Sequence, residues 1–357
     1  MPTIEIQALD TLFFRDGKPF EMGDDNWAEG IFPPPPSVIY GALRSAWASQ
    51  NSITNPEEIK GKTEKLKITG YYLKYDDKIF LPAPLDLVLD KDFDDEHLFL
   101  LKLKDAKNEN VAHNSGLNFI PFLDGQAISP KGYYLRDGDF EKYLQNQIDK
   151  NNGLISTNIQ KLILKEPKIG VGLNNETGSS SEGKLYRVGL NRFREEFDNE
   201  WIGFKKLSFL IEFEGLELKE KKGLLKLGAE NKVANYSVFN KEIKNFRLEN
   251  AEKSNYFKIV LLTDTFSEKG NLLELKHNFE IIAAFVGNYI SIGGWDIKEK
   301  KPKELYKAIP ASSVFYIKSE EEISIFDLYE ILGFSLSDVR KNEGFGLYVV
   351  TNLKLEI

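Results

Sequence analysis

Cysteine is absent from all 357 residues, which removes disulfides, thiolate nucleophiles and Cys-ligated metals at once. Histidine occurs three times, as His97, His113 and His277, too far apart in sequence for a recognisable metal spacing, and no metal or cofactor is expected. Apolar runs of membrane length are missing, because Lys, Asp or Gly interrupts each within about ten residues. Neither a membrane partner nor a signal segment is expected, since Met1-Pro2-Thr3-Ile4-Glu5 opens directly into strand-like alternation; the expected location is the cytoplasm. A P-loop is lacking too: Gly170-Val171-Gly172 has neither the lysine nor the helix that phosphate cradling requires. Positive charge is in deficit, with a net charge of −8. That balance argues against nucleic-acid binding over the whole surface, but it permits a basic stripe on an acidic body, or acidic faces that meet protein.

What is present begins with Phe32-Pro33-Pro34-Pro35-Pro36-Ser37. Four prolines stiffen the approach to a helix in which Ser37 is the expected N-cap. Ile39, Ala42, Leu43, Ala46 and Trp47 recur at helical spacing and predict one buried face, while Tyr40 and Arg44 share another stripe. The amides of Ser37, Val38 and Ile39 would then form an anion-accepting helix mouth; the plainer reading is a capped core helix.

Length and a 41% hydrophobic content suit two domains, with a boundary expected near Glu200, giving 1–200 and 201–357. Alternation predicts strands at residues 3–9, 68–75, 79–81, 98–103, 117–123, 207–213, 233–239, 256–263, 313–317 and 347–355. Helices are expected from Asp137, with Phe140, Leu144 and Ile148 inward, over 219–227, and over 325–332.

Between them, arms at 159–173 and 185–193 flank a loop of turn-forming residues and predict a β-hairpin. Seven cations (Lys161, Lys165, Lys168, Lys184, Arg187, Arg192, Arg194) against Glu166, Glu176 and Glu182 leave it a local charge of +4. With Tyr186 near the tip, it reads as a nucleic-acid finger or as a solvated surface hairpin.

Catalytic signals are sparse. Gly23-Asp24-Asp25 lies in a polar loop rather than between apolar strands, so it reads as a turn and not as a metal site. One histidine could act as general base in metal-free RNA cleavage, but nothing in the sequence demands an enzyme.

Taken together, residues 8–20, with Leu12-Phe13-Phe14-Arg15-Asp16-Gly17-Lys18-Pro19, and residues 32–45 resemble the N-terminal signature of the third Cmr subunit of type III-B CRISPR effectors, in the RAMP superfamily. Similar matches occur at Lys168-Ile169-Gly170-Val171-Gly172, Glu182-Gly183-Lys184-Leu185-Tyr186, Gly293-Gly294-Trp295-Asp296, residues 308–314 and Gly344-Phe345-Gly346. The resemblance implies an α+β chain of two tandem ferredoxin-like (RRM-like) domains with a protruding β-hairpin thumb. It also implies a noncatalytic subunit that holds the repeat-derived 5′ handle of the CRISPR RNA. Its implied protein partners are the large polymerase-like subunit and the first backbone subunit. Carried over by position, handle contacts would be Arg15, Lys18, Ser37, Tyr40, Arg44, Lys168, Lys184, Tyr186, Arg187, Arg340, Lys341, Gly344 and Gly346. A partner interface would include Gly293, Gly294 and Trp295. One departure from the pattern is Ala229, where a second glycine is expected. The alternatives are a metal-independent RAMP endoribonuclease and a purely protein–protein adaptor.

Overall fold

Alternation of apolar and polar residues decides most of this chain, and antiparallel sheet dominates it. The computed structural model describes residues 2–15, 27–90, 94, 96–106, 117–123, 126–149, 151–174, 177, 179–198, 203–247, 252–268, 270, 273–275, 279–296 and 301–353. Four α-helices occur among the described residues, giving an α+β fold. None of these helices is long and apolar enough to cross a membrane. Contacts gather into two units built from interleaved segments: 1–68, 160–239 and 291–306 in the first, 69–159, 240–290 and 307–357 in the second.

In the first unit, strands Lys222–Lys226, Val233–Val238, Thr3–Ala8 and Gly203–Glu214 pair in that order, all antiparallel. Register sets Ile6 opposite both Phe209 and Tyr236, and all three are buried. The next parity, Glu5 and Gln7, aligns with Ser237 and Asn235. Helix Pro36–Gln50 buries Ile39, Ala42, Leu43 and Ala46 of the face its spacing predicted, whereas Trp47 of that face is half-buried. Residues 219–227 depart from the sequence reading: they hold a strand, Lys222–Lys226, where a helix was expected. Pairing with Val233–Val238 supplies a hydrogen-bonded neighbour that local helix propensity cannot outweigh.

In the second unit, strands Phe279–Phe285, Val314–Ile323, Ser254–Leu261 and Tyr348–Asn352 form an antiparallel sheet. Phe257, Ile259, Phe315, Ile317 and Val350 line one face and pack with Ile325 and Leu328 of helix Ile325–Leu332. Ser324 opens that helix with a reciprocal capping box to Asp327. On the opposite parity of the same sheet, Lys258, Tyr316 and Thr351 sit side by side. The Thr351 hydroxyl donates to the Leu144 carbonyl at the end of helix Asp137–Leu144, so that helix covers the second face. This helix stops at Leu144, short of Ile148, and Asp137 is its first residue rather than a side-chain cap.

A charged cluster is buried between helix and sheet. The Lys258 Nζ lies 2.9 Å from Asp86 Oδ2, and both residues are about fully buried, at 1% and 0% exposure. Tyr143 donates to Asp86 Oδ1 at 2.8 Å and Tyr316 to Oδ2 at 2.8 Å. The Lys258 ammonium also stands 4.4 Å from the Tyr143 ring centroid. Burial, reinforced by the Asp86 carboxylate, pushes both phenol pKa values well above the ordinary range, so both hydroxyls remain donors.

Candidate nucleic-acid interface

The two basic arms do pair. Strands Ile163–Leu173 and Ser180–Phe193 run antiparallel from Ile163 opposite Phe193 to Val171 opposite Leu185, with an irregularity before Leu173. Strand Trp27–Glu29 adds in parallel at Arg187, Val188 and Gly189. The base is anchored by apolar burial: Val188 and Leu190 pack with Phe13, and the Phe193 ring meets Phe32 and Phe209 at 5.3 and 6.0 Å. Toward the turn, Lys168, Ile169 and Val171 are exposed, Ile169 by 62%.

Charge is divided along the hairpin in a way the count of +4 hides. Lys165 Nζ donates to the Gly30 carbonyl at 2.9 Å and to Asn191 Oδ1 at 2.6 Å, so this cation closes the base. Arg192 holds Glu166 in a two-pronged contact, one prong at 3.1 Å, and reaches Asp10 at 3.1 Å. The Arg192 hydrogen bond lowers the Glu166 pKa, and Asp10 is lowered by the Thr11 amide first and then by Lys232 and Arg192. Lys165 and Arg192 are therefore structural ties. Lys168, further out, meets Glu230 only at 3.4 Å. Arg187 is half-buried opposite Ile169. Lys184 and Tyr186 lie on the far arm, where the backbone pairs as expected and the side chains fall outside the described set.

Arg15 is exposed and its backbone bridges to Gly30, the same residue that accepts from Lys165, so it stands beside the hairpin base. Lys18, the Gly23-Asp24-Asp25 turn, His113 and His277 lie outside the described residues.

The helix mouth differs from expectation. The N-cap is Pro35, with Pro36 at the first helical position and no side-chain capping bond; Ser37 lies one residue inside. The chain prefers this start because proline's fixed φ suits the first turn and its missing N–H costs nothing there. Val38 donates to the Pro35 carbonyl at 2.9 Å, so its amide is taken by the helix itself. Tyr40 and Arg44 share a stripe as predicted, the guanidinium 5.7 Å from the ring centroid. Arg44 Nε donates to the buried Thr63 hydroxyl at 2.7 Å, which binds this arginine to the following helix, Pro56–Lys62.

Gly293 and Gly294 also belong to the first unit. The Gly294 carbonyl accepts from Lys303 at 2.9 Å, and Trp295 pairs with Pro302 through the backbone.

In the second unit, Arg340 adopts a left-handed backbone with its guanidinium 5.5 Å from the Phe266 ring centroid, and exposed Lys341 begins a short 3-10 turn. Gly344-Phe345-Gly346 follows as a packed loop. Phe345 is fully buried 4.7 Å from Phe266, and the Gly344 carbonyl accepts from Thr263 at 2.8 Å. Gly346 donates to the Asp264 carbonyl at 2.9 Å. These glycines are demanded by the chain's own packing, not only by the approach of a ligand.

Asp264 in that loop cluster was not visible as special in the sequence. Its Oδ1 accepts from the Ala311 amide at 3.0 Å, and burial pushes its pKa up to about 6. Between pH about 4 and 6 the unfolded chain has lost a proton that the folded chain keeps, so this group makes stability fall as pH rises, levelling off above 6. Asp264→Asn keeps an acceptor for Ala311 and removes the charge. It is expected to stabilise the protein by about 3 kcal/mol at pH 7.5 and by little at pH 4. Urea unfolding of both proteins at the two pH values measures it, and an equal difference at both would contradict the assignment.

Among the described residues, no group of three or more His, Asp or Glu side chains could hold a metal ion. His97 Nδ1 lies 2.5 Å from Asp94 Oδ2, whose carboxylate also accepts the Glu96 and His97 amides, contacts that hold the Asp94 pKa down.

None of the curated proteins compared with the chain matches it. Among solved structures, a chain of the Type III-B Cmr-beta bound to cognate target RNA, seen by cryo-EM, shares 17% identity. It superposes with a TM-score of 0.51, over 92% of this chain and 88% of that one. A Cmr-beta structure bound to cognate target RNA and AMPPnP shares 18% identity with a TM-score of 0.49, over 92% and 88%. The Csm3-Csm4 subcomplex of the type III-A CRISPR-Cas interference complex shares 13% identity, with a TM-score of 0.41 over 91% and 94%. The first of these carries the likeness in fold. The match of a family model over residues 4–349 carries the relationship, and the chain belongs to the CRISPR-associated protein (Cas_Cmr3) family.

Proposed function

We propose that this chain is a noncatalytic RNA-binding subunit of a type III-B CRISPR effector, holding the repeat-derived 5′ handle of the CRISPR RNA. The observation that carries the reading is the hairpin: an apolar, ion-paired base supports a distal half on which Lys168 is exposed. A cation on a rigid strand meets phosphate without first ordering a loop, and neighbouring apolar side chains suit unstacked bases. In this reading the hairpin is a thumb on the first of two ferredoxin-like halves. The subunit then docks on the large polymerase-like subunit and on the first backbone subunit, with Gly293, Gly294 and Trp295 at an interface. Family membership supports the assembly, and the acidic net charge fits a subunit whose remaining faces meet protein.

Neutralising Lys168, Lys184 and Arg187 together tests it in the natively assembled complex. Retention of the guide is expected to weaken, and the slope of log affinity against log salt to flatten by about 2, some 0.7 for each lost phosphate contact. An unchanged slope would favour the protein–protein adaptor. Crosslinks from residues 13–18, 37–45, 168–187 or 340–346 to the repeat-derived end would locate the handle; crosslinks confined to the spacer would displace this subunit from that role.

A second reading, a metal-independent endoribonuclease, rests on the Asp94–His97 contact, a carboxylate beside the imidazole that would serve as general base. Loss of RNA cleavage by the pure protein on His97→Ala would establish it over the scaffold.

A further inference from the structure

The strand Lys222–Lys226 ends the first unit's sheet. Among the described residues its one strand neighbour is Val233–Val238. The register says which backbone groups that neighbour uses. Lys221 accepts from Val238 at 2.7 Å and Leu227 donates to Lys232 at 2.9 Å, so in an antiparallel ladder Gly223 and Leu225 bond inward. The N–H and C=O groups of Lys222, Leu224 and Lys226 therefore point away from the sheet. The side chains of the same three residues are exposed, Leu224 by 62%, while Leu225 is buried. Beside them a groove of about 540 Å³ runs across Glu5, Gln7, Asn235 and Ser237, with the Glu5 carboxylate accepting from the Gln7 and Ser208 side chains.

We propose that this edge is a docking site for an extended acidic segment of a partner protein, which joins the sheet as a further strand. Three features select that occupant. Donor and acceptor alternate along the edge at every second residue, the pattern another polypeptide strand offers; phosphates would meet the carbonyls as well as the amides. Lys221, Lys222 and Lys226 frame one exposed leucine, so carboxylates flanking an apolar residue complement it. A second copy of this strand is disfavoured because lysine would face lysine. The groove leaves room for the added strand's side chains on the exposed face.

The proposal rests on the reading that the chain works within a multi-subunit assembly. The test treats that assembly, purified intact, with a carbodiimide that joins amines to carboxylates in direct contact, before and after ribonuclease digestion. Cross-links from Lys222 or Lys226 to Asp or Glu of another polypeptide are expected, unaltered by digestion. Leu224→Pro should abolish them: the ring deletes an outward amide while both lysines and the inward ladder remain. Should that variant fold poorly, Lys222→Glu with Lys226→Glu is read instead by hydrogen exchange, with loss of the protection expected at amides 222, 224 and 226 in the assembled wild type. Absence of cross-links and of protection, cross-links only within this chain, or protection that disappears with ribonuclease would each overturn the proposal. An assembly that keeps its RNA without cross-links refutes this inference alone; a chain that purifies by itself without RNA refutes the functional reading.

Discussion

Asp86→Ala is expected to destabilise the second unit by about 3–5 kcal/mol, the usual consequence of stranding a buried charge. The substitution leaves the Lys258 ammonium without its carboxylate and the Tyr143 and Tyr316 hydroxyls without their acceptor. Two cation–π contacts remain at 4.4 and 5.2 Å, and these are too weak to replace an ion pair in a dry site. Lys258→Met alone should cost less, because Asp86 keeps both phenol donors. The decisive measurement is the double-mutant cycle in urea. Adding Lys258→Met to Asp86→Ala should recover part of the loss, since it removes the stranded charge, whereas simple additivity would show that the pair is not coupled. The cluster joins residues 86, 143, 258 and 316, which no local rule connects, so its loss should appear as a lower midpoint for the whole second unit.

Gly346→Ala is expected to cost about 3 kcal/mol, combining a left-handed backbone penalty with an overpacked contact. Gly346 sits at φ +73°, and a Cβ there would lie 2.3 Å from the Ser337 backbone nitrogen and 2.8 Å from the Ser335 hydroxyl. The Ser335 hydroxyl donates to the Phe345 carbonyl at 2.7 Å and cannot withdraw without stranding it. Gly270 provides the control: it has a similar φ of +78° with nothing near its Cβ, so Gly270→Ala should show the backbone penalty alone. Thermal unfolding of the two variants separates the terms. Equal losses would mean that the loop around Gly346 yields, and that its glycine serves something other than packing.

The sequence by itself determined the strands with clean alternation, the apolar face of the first helix, the basic hairpin and the family, because each is written in a local pattern. Period-2 runs at Thr3–Ala8 and Gly203–Glu214 need no distant information to read as strands. The resemblance carried by residues 8–20 and 32–45 is likewise local. Tertiary structure alone decided how charges are spent. Arg192 and Lys165 count as basic residues in the sequence, yet the fold turns them into ties for Glu166, Asp10 and Gly30, while Lys168 stays exposed further out and reaches Glu230 at 3.4 Å. Lys258 stands alone in an apolar run, Tyr256 to Leu262, and that isolation was the one available sign of a buried partner. Asp86 could not be named as the partner, because the two meet only when the sheet packs on helix Asp137–Leu144. The strand at Lys222–Lys226 has the same cause: five residues with lysines at both ends carry no decisive period, and the neighbouring strand's hydrogen bonds chose their conformation.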